Sequence, residues 1–283
     1  MSGPTIQRRR LGLALKKARE QAGKTQDEAA AMIDGAPSKI SRIEAGASGL
    51  RTLDLNALID FYDVPSRDAE TMRDLAKAGR QRGRWSTYRD SLPSWFRQYA
   101  DLESDASELR WYQAEIVPGI LQTEAYVRSL FDVTATRQSA EDTDKAIKVR
   151  LERRTVIEQT DNEAFFVLSE SALRRKVGGN VTMSEQLHHL AADRPNVEIQ
   201  ILPFDSDTYS IASFPFIILR FGDDSSSDVV YAETLTDADY LDRPEAVRVY
   251  FRLWERLRAA ALGPVESRRL ILSIADEIDR QPK

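Results

Sequence analysis

Cysteine is absent from the 283-residue chain, which excludes disulfides, iron–sulfur clusters and thiol catalysis and fits a reducing compartment. Histidine is nearly absent. The only two, His188 and His189, are neighbours on an expected helix, so their side chains diverge by about 100° and do not share a metal ion in the usual way. No apolar run approaches the roughly 18 to 20 residues that a membrane span requires. The opening MSGPTIQRRRLGLALKKAREQAG lacks the unbroken apolar core and small-residue cleavage site of a secretion signal. A cytoplasmic protein with no membrane partner is the expectation. G-x-S-x-G and a Gly-rich phosphate loop are missing too, and VGGN at 177–180 is too short to cradle a phosphate. The acidic FGDDSSSD, with Asp223, Asp224 and Asp228, lacks the calcium-loop pattern and reads as a hairpin loop between strands. With no catalytic constellation, no metal ligands and no cofactor signature, the chain is expected not to be an enzyme.

What is present begins with an uneven charge distribution. The net charge is −5, yet residues 1–84 carry 16 Lys+Arg against 11 Asp+Glu, while the other 199 residues carry 24 against 34. A basic N-terminal part on an acidic body suits one end that meets a polyanion and another that does not.

That basic part holds TQDEAAAMIDGAPSKISRIEAG, residues 25–46. Thr25 and Glu28 form a T-x-x-E capping box, in which each side chain satisfies a backbone N–H left open at a helix start. Ala29, Ala30 and Ile33 then give the helix an inner face, and Asp34-Gly35 supplies residues that tolerate the left-handed conformation. Pro37 suits the first turn of a second helix, which turns Ile40 and Ile43 inward and leaves Ser38, Lys39, Ser41 and Arg42 for other faces. Two short helices across such a turn make a helix-turn-helix, whose second helix can enter a DNA major groove. Flanking helices are expected from Leu11, Leu15 and Ala18 before it, ending near Gly23, and from Leu53, Leu55, Ala57, Leu58 and Phe61 after it.

On these residues the segment 6–65 resembles the Xre and phage-repressor type of helix-turn-helix domain. The resemblance implies a five-helix all-α domain over 1–65, a small residue at Ala30 for helix approach, and a partly buried ion pair between Arg19 and Glu44. Asp34 departs from the usual turn glycine. Pro37 stands where a base-reading amide is common, which shifts direct readout to Ser38 and Arg42, with Arg42 suited to grip guanine O6 and N7 and Ser41 a further DNA-binding candidate. Thr25, Gln26, Lys39 and Arg51 are expected on phosphate, where contacts set affinity and register.

Residues 66–92 read as a short helix with Met72, Leu75 and Ala76 inward, then the basic KAGRQRGRW, together a helical and basic linker. From 93 to 283 the pattern is α+β with a small, mostly antiparallel sheet. LESDASELRWYQAEIVPGILQTEAYVRSLF reads as a helix, a Pro-Gly break and a second helix, and DTDKAIKVRLERRTVIEQ as a longer one. AFFVLSE, VEIQILPF, FPFIILRF and VVYAE read as strands, with an amphipathic helix around VTMSEQLHHLAAD between the first two and a final helical pair split at Gly263-Pro264.

The motifs IVPGILQTEAYVRSLF, LSESALRRKVGG, MSEQLHHL before NVEIQILPFD, and VVYAETLTDADYLDRPEAV resemble the C-terminal domain of antitoxin-like, Xre-type regulators abundant in actinobacteria, long described as a domain of unknown function. The resemblance implies a transcription regulator, often encoded beside a very small partner protein. A double-stranded DNA operator, a homodimer and that small protein are the expected partners; a C-terminal domain that senses a small molecule is the alternative. For either occupant the candidate groove is Pro118, Gly119, Leu121 and Gln122 beside Trp111 and Tyr112, with Glu115, Glu170, Arg174 and Glu233 as polar lining. Trp85, Trp95, Phe96 and Tyr99 add aromatics near the start of that domain.

Overall fold

A computed structural model of the chain describes residues 4–80, 94–134, 140–158, 162–207, 214–222, 228–234 and 237–281, leaving aside the side chains of 4, 94, 95, 132–134 and 140–142. Trp85, the end of the basic run, the Trp95 side chain, Asp223 and Asp224 therefore lie outside the described residues. The described residues fall into two compact units, one of 4–80 and 97–105, the other of 94–96 and 106–281.

The first unit is helical: α1 (Pro4–Gln21), α2 (Gln26–Met32), α3 (Pro37–Glu44), α4 (Thr52–Phe61) and α5 (Ser66–Ala78), joined by the later part of α6 (Ser94–Asp105). The Thr25–Glu28 capping box forms as its spacing requires. Asp34 takes the left-handed conformation at φ 46°, so the turn leans on the aspartate itself. Leu11, Leu15, Ala30, Ile40, Ile43 and Leu58 meet in one core.

Two expectations need correction here. Ala69, Met72 and Ala76 of α5 belong to the same core, so a boundary at 65 divides residues that pack together, and 66–78 is the fifth helix of the unit and not linker. Leu53 was expected inward but is 82% exposed, because it lies in the first turn of α4 while Leu55, Leu58 and Ile59 fill its inner face.

The second unit is built on a six-stranded mixed sheet ordered β3-β2-β1-β4-β5-β6. The strands are β1 (Glu108–Gln113), β2 (Glu163–Ser169), β3 (Val197–Leu202), β4 (Phe216–Arg220), β5 (Val229–Glu233) and β6 (Ala238–Leu241). The pairs β1–β2 and β2–β3 are parallel, and the other three are antiparallel. The run ELRWYQ, expected to be helical, is the central strand β1. Its residues alternate between the two sheet faces, a period of two that a helix does not support.

Around the sheet lie α7 (Glu124–Thr134), α8 (Ala140–Glu152), α9 (Thr155–Glu158), α10 (Glu170–Arg174), α11 (Gly179–Ala191), α12 (Pro244–Ala260) and α13 (Pro264–Asp279). The helix expected over DTDKAIKVRLERRTVIEQ is thus interrupted at Arg153–Arg154. On one face Tyr112, Val167, Phe216, Ile218 and Val230 pack against Val247, Trp254 and Leu257 of α12. Arg110 and Arg220, at the end of that face, lie over the Phe251 ring. The α12–α13 joint wraps the outer edge of β3, where Leu262 N–H donates to the Ile201 carbonyl at 2.8 Å and Ile201 N–H donates to Ser267 Oγ at 2.9 Å.

His188 is exposed near Asp279, whereas His189 is half-buried. Burial, with Arg194 and Arg154 adding repulsion, pushes the His189 pKa down to about 4. An unfolded histidine titrates near about 6.5, so between there and 4 the unfolded chain binds a proton that the folded chain refuses. Stability should therefore fall as pH falls through that window, by up to about 1.4 kcal/mol per pH unit from this residue. In urea melts of wild type and His189→Gln at pH 7.5, 5.5 and 4.5, the stability gap between the two proteins should shift in favour of the variant at low pH; an unchanged gap would place the imidazole in solvent.

Candidate nucleic-acid interface

The first unit presents α3 on a rigid mount. Arg19 of α1 donates from Nε to Glu44 Oε1 at 2.6 Å and from Nη2 to Glu44 Oε2 at 3.1 Å, both residues being buried. The same arginine holds the loop that follows α1 through Nη1 to the Lys24 carbonyl at 2.9 Å. Gln26, the first residue of α2, completes the arrangement with Nε2 to Glu44 Oε2 at 2.9 Å. One carboxylate at the last position of α3 thereby ties α1, α2 and α3 together. The hydrogen bonds to Glu44 hold the Arg19 guanidinium above its ordinary pKa, so the arginine keeps its charge.

Two glycines allow this closeness. A Cβ on Gly12 would stand 2.5 Å from the carbonyl oxygens of both Ile43 and Glu44, and one on Gly46 would stand 2.6 Å from the Arg9 backbone. Gly46 also has φ 69°, the left-handed region glycine favours. The Gly12 role was missed from sequence, although an isolated glycine inside an otherwise strong helical run, LGLAL, is the usual mark of a close backbone approach.

On the outward side of α3, Ser38, Ser41 and Arg42 are exposed. Arg42 Nε donates to the Ser38 carbonyl one turn back at 3.3 Å, and no ion pair among the described residues engages its remaining guanidinium donors. Ala36 precedes the helix without a side-chain cap, and Pro37 occupies its first turn. Arg51, exposed, stands at the N-cap of α4. Three expected phosphate ligands have partners of their own. Lys39 Nζ is bound to Asp54 Oδ2 at 2.9 Å, Gln26 serves Glu44, and the exposed Thr25 is engaged in its capping box.

In the second unit, the residues expected around one groove are dispersed. Trp111 and Tyr112 are adjacent on β1 and so point to opposite faces, Trp111 toward Phe166 and Tyr112 into the core beneath α12. Pro118, Leu121 and Gln122 are buried in and around a short 3-10 turn at Gly119–Leu121. The Gln122 amide donates to the Val117 carbonyl at 2.6 Å, its Oε1 accepts from Arg150 Nη1 at 3.3 Å, and its backbone carbonyl accepts from Arg154. Gln186 of α11, fully buried, accepts from Thr123 N–H at 2.7 Å and donates to the Leu121 carbonyl at 2.8 Å. These partners, Arg150, Arg154 and Gln186, were not singled out from sequence. Nothing local marks them, since each meets the turn from a distant segment.

The remaining polar candidates sit in separate contacts. Glu170 accepts from Arg174 Nε at 2.6 Å and from Phe204 N–H at 3.1 Å, and Arg174 reaches Glu277 at 3.1 Å. Glu115 is held by Arg175 and by Ser171 Oγ at 3.2 Å, while Glu233 accepts from the Tyr231 hydroxyl at 3.2 Å. Phe96 lies under the Arg153 guanidinium, and Tyr99 is buried in the first unit. Among the described residues, no group of three or more His, Asp or Glu is placed to hold a metal ion.

Removing the Glu44 carboxylate strands the Arg19 charge in a buried site. Glu44→Ala should therefore lower stability by about 3 kcal/mol in urea unfolding of the first unit, and a loss below about 1 kcal/mol would show the pair to be solvated. Arg42→Ala should narrow the ratio of specific to random DNA affinity by about 1–3 kcal/mol. Arg51→Ala should instead weaken all sequences alike and flatten the salt dependence by about one unit of slope. Lys39→Ala should flatten it less, because its ammonium is already paired with Asp54.

Comparison with known proteins bears on the role of the first unit alone. Residues 10–72 match a helix-turn-helix domain family, which makes the first unit a DNA-binding one and the chain a DNA-binding regulator. No curated protein and no solved structure matches the chain. Residues 96–273, more than half of the chain, match the family described as a domain of unknown function, DUF5753, and the protein belongs to that family, its shared domain carried behind a helix-turn-helix.

Proposed function

We propose that the protein is a sequence-specific transcription regulator that binds its operator as a homodimer through α3, and that its C-terminal domain receives a small protein whose binding changes operator affinity, as in an antitoxin-like regulator. The observation that carries the DNA-reading part is the exposed Ser38–Ser41–Arg42 face on a helix fixed from behind by Arg19, Glu44 and Gln26. Support for a protein partner comes from the second unit, where the residues expected to line a ligand groove are used up in packing and internal hydrogen bonds. Recognition then falls to surface features, which suit a macromolecule. The reading assigns the chain no turnover and no cofactor.

A two-fold dimer reads a two-fold site. Selection from random duplexes should yield an inverted repeat with half-site centres about one helical turn, or a multiple of it, apart. Enrichment of a single unrepeated site would overturn the dimer. A small protein that co-purifies at equal stoichiometry should change operator affinity at least about fivefold, the lower end of ordinary allosteric coupling. If operator binding is instead moved by a small molecule that also stabilises the second unit thermally, the sensor reading replaces the protein partner.

A further inference from the structure

β3 is the terminal strand of the sheet, and its outer edge is only partly closed. In its parallel pairing with β2, Ala164 N–H donates to the Asn196 carbonyl, which turns the backbone groups of even-numbered residues toward β2 and those of odd-numbered residues outward. Ile201 uses its outward groups on Leu262 and Ser267, and Val197 N–H donates to the Arg194 carbonyl at 3.1 Å. Between them, the outward N–H and C=O of Ile199 and the C=O of Val197 have no partner among the described residues. Both bonds from this segment, at Leu262 and Ser267, fall on Ile201, and α13 begins between them at Pro264.

A cleft of about 510 Å³ opens at this gap. Val197 and Ile199 form its floor, the Leu190–Asn196 segment one wall, and Val265 and Arg268 of α13 the other. Val265 is 60% exposed, and the exposed Arg268 guanidinium makes no ion pair among the described residues. An unfilled donor and acceptor on one strand residue fit another backbone in extended form better than any compact molecule.

The geometry points to this edge as a docking site for an extended segment of the partner protein, which adds a short strand beside Val197–Ile199, rests an apolar side chain on Val265 and places a carboxylate against Arg268. The inference rests on the partner-gated reading for the identity of the occupant, but the site itself is defined by the edge alone. A second copy of the chain fits less well. The open stretch is three residues long and recessed between the α11–β3 connection and α13, whereas a stable dimer interface needs roughly 1,000 Å² or more of flat, complementary surface.

The probe is a displayed library of random linear dodecapeptides, panned against the full-length protein, with the enriched peptide then synthesised. In hydrogen exchange of the free protein, the Ile199 amide should exchange fast while those of Gln200 and Leu202 are protected; adding peptide should slow Ile199 by about tenfold or more. Ile199→Pro removes the outward N–H at an edge position where proline is tolerated, and should abolish peptide binding with the melting temperature little changed. Should that variant unfold, Arg268→Glu tests the same site from α13 and should weaken an acidic peptide by about tenfold, a change of roughly 1.4 kcal/mol.

Failure to enrich any peptide, protection elsewhere in the chain, or binding indifferent to both variants overturns the docking site. Protection of Ile199 that rises with protein concentration alone replaces the partner segment with a second copy. A peptide that protects Ile199 yet leaves operator affinity unmoved keeps the docking site and removes the partner-gated regulation.

Discussion

The buried pair between Arg19 and Glu44 is the interaction on which the placement of α3 depends. Taking two charges out of water costs several kcal/mol per ion, and an apolar pair of equal volume is often as stable, so stability alone does not explain its presence. Its geometry does more. Glu44 ends α3, and its two oxygens accept from α1 and from the first residue of α2, which fixes the helix against rotation about its own axis. A purely apolar contact tolerates a slide of that helix. A carboxylate with directed bonds on both oxygens does not. The absent side chains at Gly12 and Gly46 are the steric counterpart, since they let α1 approach the end of α3 closely enough for the bonds to form.

The second unit uses the same device on amides. Gln122 and Gln186 are buried, and their hydrogen bonds join the turn after β1 to α8 and α11. A buried amide left unsatisfied costs about 1–3 kcal/mol, so each partner is held to its place. What looked like exposed recognition chemistry in sequence is thus internal scaffolding, while open backbone groups remain at the β3 edge.

This also explains what was legible in advance. The helix-turn-helix could be read because its signals are local: the capping box at Thr25 and Glu28, the left-handed Asp34 and Pro37 at a helix start all act within short stretches, whereas the Arg19–Glu44 pair spans 25 residues and was implied only by the family resemblance. β1 escaped because its alternation is disguised by charge. Glu108 and Arg110 sit on the α12 face, where a purely apolar pattern was to be expected, and are satisfied there by Arg220 and Glu255 from distant segments. β6 is four residues long and has no period to read. The dispersal of Trp111 and Tyr112 follows directly once the run is a strand, since neighbours on a strand face opposite ways. Fold class survived these errors because the long amphipathic helices and the four apolar strands outweigh them.

On the proposed function, α3, held by Glu44, is the element that reads DNA. The most direct measurement is hydrogen exchange across the full chain with and without a selected operator duplex at moderate salt. Added protection is expected at residues 36–45 and at the start of α4 around Arg51–Leu53, with the sheet of the second unit unchanged. Protection centred on the second unit, with α3 exchanging as it does in the free protein, would contradict it.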